Sequence, residues 1–178
     1  LSSQSGTALG GGATKIGRRT LGGEECLIGI SGLGRIAQLV IYGSDSGAYG
    51  SDLKPPTTSS SEIEAMMPWL VSDLCKMIRS LLEAELNQSG PPKAGTPPPT
   101  GQLILGIRSQ LYVIQSNLEI VPLEDRFGAI GPGFAFATGV LFGSEGKNED
   151  PHDRLEKALQ AAEKYNSSVR GKFKYLTL

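Results

Sequence analysis

The sequence predicts an α+β fold: a four-layer αββα sandwich of two antiparallel sheets between helix layers. Three observations carry this expectation. Short β-rich runs come in groups instead of alternating singly with helices, which disfavours crossover units and a parallel sheet. The helical stretches come in pairs, one pair before and one after a run of strands. The apolar period also switches between 2 and 3.6 along the chain, which separates the two kinds of element.

Residues 25–31 form a short apolar run after Gly22-Gly23 and stop at Gly32, which reads as a buried strand. Residues 33–42 place Ile36, Leu39 and Val40 at helical spacing. Residues 61–86 form the longest helical candidate. Ser61 and Glu64 make a capping-box pair at its start, and an apolar stripe from Ile63 to Leu82 follows. Pro68 either kinks that helix or delays its start. Residues 102–108, 110–115 and 118–121 are β-rich and closely spaced, with a turn at Ser116-Asn117, so they predict a meander. Residues 127–130 predict one more strand, closed by Gly131-Pro132-Gly133. Residues 134–142 form a helix of small and aromatic residues. Residues 151–165 form another, with Asp150 at the cap and Pro151 in the first turn. Residues 172–178 predict a terminal strand.

A length of 178 residues suits one domain, and 39% hydrophobic residues are enough to build a core. The Pro/Gly/Ser/Thr-rich stretches near 43–60 and 88–101 read as insertions in a single domain spanning 1–178. With 17 basic against 18 acidic residues and no basic stripe, nucleic acid is not an expected partner. No apolar run is long enough to cross a membrane, and no basic-then-apolar signal opens the sequence, so the expected location is cytoplasmic. One histidine and two cysteines leave no metal site to expect, and no cofactor motif is present. Cys26 and Cys75 read as buried small hydrophobes. Met66, Met67 and Met77 read as core filling. His152 reads as an exposed first-turn residue. Ser31 lies in Gly-Ile-Ser-Gly, not a nucleophile elbow, and is better explained as a strand-end turn. The run Gly10-Gly11-Gly12 lacks the Gly-Lys-Ser/Thr ending of a phosphate loop.

Several segments, taken in order, resemble one family. Leu111-Tyr112-Val113-Ile114 is followed by an acidic turn. Then comes Arg126-Phe127-Gly128-Ala129-Ile130-Gly131-Pro132-Gly133, opening a small-residue helix. With the Lys15 to Arg19 strand, the Gly29 to Gly32 strand-to-helix step and the Asn166 to Gly171 loop, this order resembles proteasome β-subunits and their HslV-type relatives. The resemblance implies an N-terminal nucleophile hydrolase fold and a homo-oligomer in the form of a ring or filament. It also implies a possible ATPase or other regulator, and a peptide substrate if the subunit is active. In that family a mature N-terminal threonine attacks the scissile carbonyl, with its own α-amine as base. The family lysine matches Lys15. Oxyanion and turn positions match Ser31, Gly32, Gly131 and Gly133, and the C-terminal loop position matches Asn166.

The matched positions depart from the family in their charges. The two family carboxylates fall on Ser2 or Ser3 and on Asn166, and the turn serine falls on Pro132. As written from Leu1, the chain is expected to lack hydrolytic activity, because Leu1 offers an amine without a hydroxyl. A threonine upstream in the natural protein would restore the threonine-endopeptidase reading. Otherwise the expectation is a non-catalytic structural subunit, or an unrelated α+β binding module.

Overall fold

A computed structural model describes residues 15–32, 34–42, 55–56, 63–88 and 101–178. Ser2, Ser3, the Gly10 to Gly12 run, Leu33 and Ser61 lie outside the described residues. So do the 43–60 and 88–101 stretches, apart from residues 55–56 and the element ends at 88 and 101.

Five strands form one antiparallel sheet in sequence order: β1 (Ile16–Leu21), β2 (Glu24–Gly32), β3 (Gly101–Ile107), β4 (Gln110–Ile114) and β5 (Ile120–Pro122). The register follows from two-residue turns. Gly22 and Gly23 take φ of 58° and 91° between β1 and β2, which pairs Leu21 with Glu24. Arg108 and Ser109 take φ of 48° and 63° between β3 and β4, which pairs Ile107 with Gln110. Two positive φ values in succession give the turn twist that matches right-twisted strands.

Side chains alternate across the sheet, so each strand feeds two environments. Leu21, Ile28, Leu105, Ile107 and Tyr112 face one way and are almost wholly buried. Helices α1 (Gly34–Tyr42), α2 (Ile63–Trp69) and α3 (Cys75–Gln88) join them in one apolar core through Val40, Met66 and Ile78, together with Leu70 from the turn between α2 and α3. The long helix is not continuous. Pro68 has no N–H to donate, and the chain passes through a wider π turn at Leu70–Leu74, where the Cys75 N–H reaches the Leu70 carbonyl.

On the other side, α4 (Phe134–Gly143) and α5 (Pro151–Tyr165) pack against each other through Ala137, Leu141, Ala158 and Ala162. Asp150 caps α5 by accepting from the His152 and Asp153 backbone N–H groups at 2.8 and 3.4 Å. Residues 127–130 and 172–178, expected as strands, form no ladder among the described residues. In the first, Gly128 is pressed onto Leu123, where an added Cβ would lie 2.4 Å from Cδ1, and Gly131 turns the chain at φ 92°. In the second, the Thr177 carbonyl accepts from the Arg18 guanidinium instead of a backbone N–H. The described architecture is therefore α+β with a single five-stranded antiparallel sheet and helices. No described helix is long and apolar enough to cross a membrane.

Candidate functional site

The end of the sheet where β2 stops and β3 begins brings two glycine turns together. Ser31 is the last side chain of β2, and Gly32 follows at φ 89°. Across from them, Gly131 takes φ 92° immediately before α4. The two turns touch: a Cβ on Gly131 would lie 2.6 Å from the Ser31 Oγ. Glycine is required at 131 twice over, by its φ and by the hydroxyl beside it.

Two carboxamides hold the Gly131 turn from opposite sides. The Gln102 Oε1 accepts from the Gly131 N–H at 3.3 Å, while the Gln102 Nε2 donates to the Gln115 Oε1 at 2.7 Å. The Asn166 Nδ2 donates to the Pro132 carbonyl at 2.7 Å, and its Oδ1 accepts from the Ser168 N–H at 2.9 Å. Gly133 is buried because Ala162 and Val169 leave no room for a side chain there. A cavity of about 350 Å³ opens at this end, lined by Ser31, Gly32, Gly101, Gln102, Gln115 and Ser116.

The structure thus groups Ser31, Gly32, Gly131, Gly133 and Asn166 around one turn. Lys15 stands apart from that group. Its carbonyl accepts from the Ile30 N–H at 2.8 Å, which sets it opposite Ile30. Residues directly opposite share a face, so Lys15 belongs to the face turned towards the α1–α3 core, and Ser31 to the other. Gln102 and Gln115 were not singled out from sequence. The available signal was their parity: each is polar at the end of an apolar strand, on the face that Ser31 shares.

The site is built from hydroxyls, carboxamides and backbone amides. It can donate hydrogen bonds to an anion or a carbonyl oxygen. Among the described residues the Ser31 hydroxyl has no hydrogen-bonded base. The two thiols do not supply a nucleophile. Burial pushes Cys26 up to about 11 despite the nearby Arg19, and burial likewise raises Cys75. His152 is exposed and its ring lies 4.1 Å from that of Tyr175. With Asp150 and Asp153 it forms an exposed group of metal-capable side chains, of which the Asp150 carboxylate is engaged in capping α5.

A second cavity, also about 350 Å³ and strongly apolar, lies between the sheet and the α4–α5 pair. Leu27, Ile104 and Leu111 line it from the sheet, Ala137 and Leu159 from the helices, and Leu176 from the terminal segment.

No family model and no curated protein matches this sequence. Solved structures do match in fold. BPH from Thiobacillus denitrificans, solved in complex with epoxomicin, has a TM-score of 0.58 at 14% identity, covering 88% of this chain and 74% of its own. BPH without a named ligand gives 0.57 at 13% identity, covering 87% and 73%. The Anbu complex of Pseudomonas aeruginosa, solved as a helical assembly, gives 0.56 at 14% identity, covering 89% and 66%. The chain is similar in fold to these proteins, the group that the resemblance read from sequence pointed to, and the described part of that fold is one five-stranded antiparallel sheet with helices.

Proposed function

We propose that this chain is a subunit of a self-assembling proteasome-like complex of the N-terminal nucleophile hydrolase family, working in the cytoplasm with peptides as the substrate class of its active form. The observation that carries this reading is the convergence of the Ser31-Gly32 and Gly131–Gly133 turns at one sheet end, within a fold shared with BPH and Anbu. In this reading the turns and Gln102 form the wall on which a scissile carbonyl is oriented, and a threonine supplies both hydroxyl and amine. Lys15 matches the family lysine but lies on the sheet face opposite Ser31, so its part in the chemistry is what the Lys15→Ala variant below tests. An ATPase or similar regulator would feed peptide to the assembly.

The same reading includes the second sheet. Residues 128–130 and 174–176 line the apolar cavity together with residues of the five-stranded sheet, and in this reading they belong to the sheet that packs on it. Slow amide exchange across 172–178 in the native protein would support that sheet. Exchange at the rate of free peptide would remove it.

A non-catalytic structural subunit is favoured by one observation: Asn166 and Pro132 stand where the family has an aspartate and a serine, so the described site is uncharged. N-terminal sequencing and intact mass of the native protein, followed by incubation with epoxomicin, separate the two readings. An adduct on an N-terminal threonine, with peptide turnover lost in Lys15→Ala, establishes the peptidase. An assembled particle that neither labels nor turns over peptide establishes the structural subunit. A monomer that does neither overturns the proposal.

A further inference from the structure

The Gln102–Gln115 pair borders a second opening at the site end of the sheet. The two side chains line the cavity beside Ser31 and also a groove of about 370 Å³ on their other side. Val113 and Val121 are cross-strand partners, and they line this groove from the sheet. Leu123 continues the line, its N–H bonded to the Leu111 carbonyl at 2.9 Å. Phe127, Ile130 and Phe134 line the opposite side. Val121 is 38% exposed and Phe134 55%, so the walls are apolar surface open to solvent. From Gln115 back to Leu111 the strand advances four steps of about 3.3 Å, which gives the groove the length of a few residues of extended chain.

The two ends of the groove differ in chemistry. At the near end the Gln102 Nε2 donates to the Gln115 Oε1, while the Gln115 Nε2 donates to nothing among the described residues. A carboxamide N–H without an acceptor is matched by a carbonyl oxygen. At the far end stands Asp125, the one charged side chain among the described residues that line the groove. It is exposed and makes no ion pair among the described residues. Its chain neighbours Glu124 and Arg126 are exposed, opposite in charge and outside the lining. Arg154 lies 6.0 Å from the Phe127 ring, also outside the lining, and its guanidinium is engaged by the Leu141 carbonyl and the Ser144 hydroxyl. The groove therefore donates hydrogen bonds at one end, is apolar along its length and is anionic at the other end.

We propose that this groove is a subsite for an extended peptide that carries a lysine or arginine. A backbone carbonyl of the peptide accepts from the Gln115 Nε2, apolar side chains lie over Val113 and Val121, and the cation, a few residues further along, pairs with Asp125. A peptide fits this order because its backbone has the pitch of the strands beneath it and supplies carbonyl, apolar and cationic groups along one line. An acidic residue at the far end is repelled by Asp125 itself. The proposal rests on the peptide-substrate reading above and gives that substrate a side-chain preference.

Fluorescence anisotropy with the full chain tests it. Four peptide amides, each labelled with fluorescein through a flexible linker, share one apolar tetrapeptide and carry arginine or glutamate added at its first or its last end. One arginine peptide is expected to bind at least about fivefold more tightly than its glutamate counterpart, an advantage that shrinks with added salt. Asp125→Arg should reverse that order, which a loss of structure does not do. Equal binding of the arginine and glutamate peptides, an order that Asp125→Arg leaves unchanged, or no binding of any of the four overturns the groove. In a native particle that labels with epoxomicin, such a result leaves the subunit reading standing. An unlabelled monomer that still selects arginine through Asp125 keeps the groove and overturns the subunit reading alone.

Discussion

The two faces of the sheet are built from the same strands and do different work. Towards α1–α3 every strand presents large side chains with almost no exposed surface: Leu105 is 2% exposed, Ile107 1% and Tyr112 none. Towards α4–α5 the same strands present Gly29, Ile104, Gly106 and Leu111 around a cavity of about 350 Å³, and the facing helices meet through alanines. Strand alternation thus separates stability from the site. One face closes the sheet against α1–α3. The other stays loosely filled, and its polar end carries Ser31, Gln102 and the Gly131 turn.

Adjacent residues of β3 test the contrast most directly. Leu105 points into the tight core and Ile104 lines the cavity. Leu105→Ala is expected to cost about 3 kcal/mol, since the cavity it leaves has rigid walls. Ile104→Ala should cost only about 1 kcal/mol, because that side chain already borders empty space. Urea denaturation of both variants measures the difference. Equal losses would mean that the second face is as firmly packed as the first.

The next largest effect belongs to the polar end of the looser face. Gly131→Ala must accept a φ of 92° and a Cβ 2.6 Å from the Ser31 Oγ. The expected loss is about 2 kcal/mol, from backbone strain together with the contact. Removing the hydroxyl as well, in Gly131→Ala with Ser31→Gly, relieves the contact and leaves the φ. That double variant should recover part of the loss and no more. Full recovery would show that φ at 131 costs nothing, and no recovery would show that the two turns do not touch in solution.

Sequence was most informative where chemistry is local. Helix α5 follows from Asp150 and Pro151, whose cap and first-turn roles need no distant partner. The meander follows from alternation and from short turns. What needed a partner across space was harder to read. Residues 127–130 and 172–178 have strand composition, but a strand exists only when another backbone pairs with it. Gln102 and Gln115 look like ordinary polar strand ends, and only the β3–β4 register sets them side by side over Gly131. The parity of Lys15 relative to Ser31 likewise depends on a register that no motif states. Pro68 announced a disturbance in its helix, but the π turn that absorbs it is a matter of packing under the sheet.

The hairpins allow a smaller test on the firm side of the comparison. Gly22-Gly23 supplies its positive φ values at no steric cost, whereas Arg108-Ser109 holds two non-glycine residues in the same region. Ser109 is exposed, so Ser109→Gly removes strain without removing packing. A gain of about 1 kcal/mol in thermal or urea unfolding is expected. A loss would mean that the flexibility glycine adds to the unfolded chain outweighs the strain relieved.

Arg108 cannot be treated in the same way, because its side chain ties the turn down, and that gives the smallest and most specific effect. Its Nη2 bonds the Glu24 Oε1 at 2.6 Å and the Pro56 carbonyl at 2.9 Å, at the sheet end remote from Ser31. The guanidinium holds the Glu24 carboxyl below the usual carboxylate range, its hydrogen bond outweighing the opposing effect of burial. A carboxylate depressed by folding adds stability above its unfolded pKa of about 4.3 and loses it as pH falls through the lower folded value. The advantage of wild type over Glu24→Gln should therefore be constant from neutrality to about pH 5 and shrink below that. Its size should stay under about 1 kcal/mol, since the Glu24 side chain is 36% exposed and water screens the pair. Stability curves of the two proteins against pH measure it. An advantage that grows on acidification would show that Glu24 is stabilised in its protonated form, and the ion pair would then not be what fastens this end of the sheet.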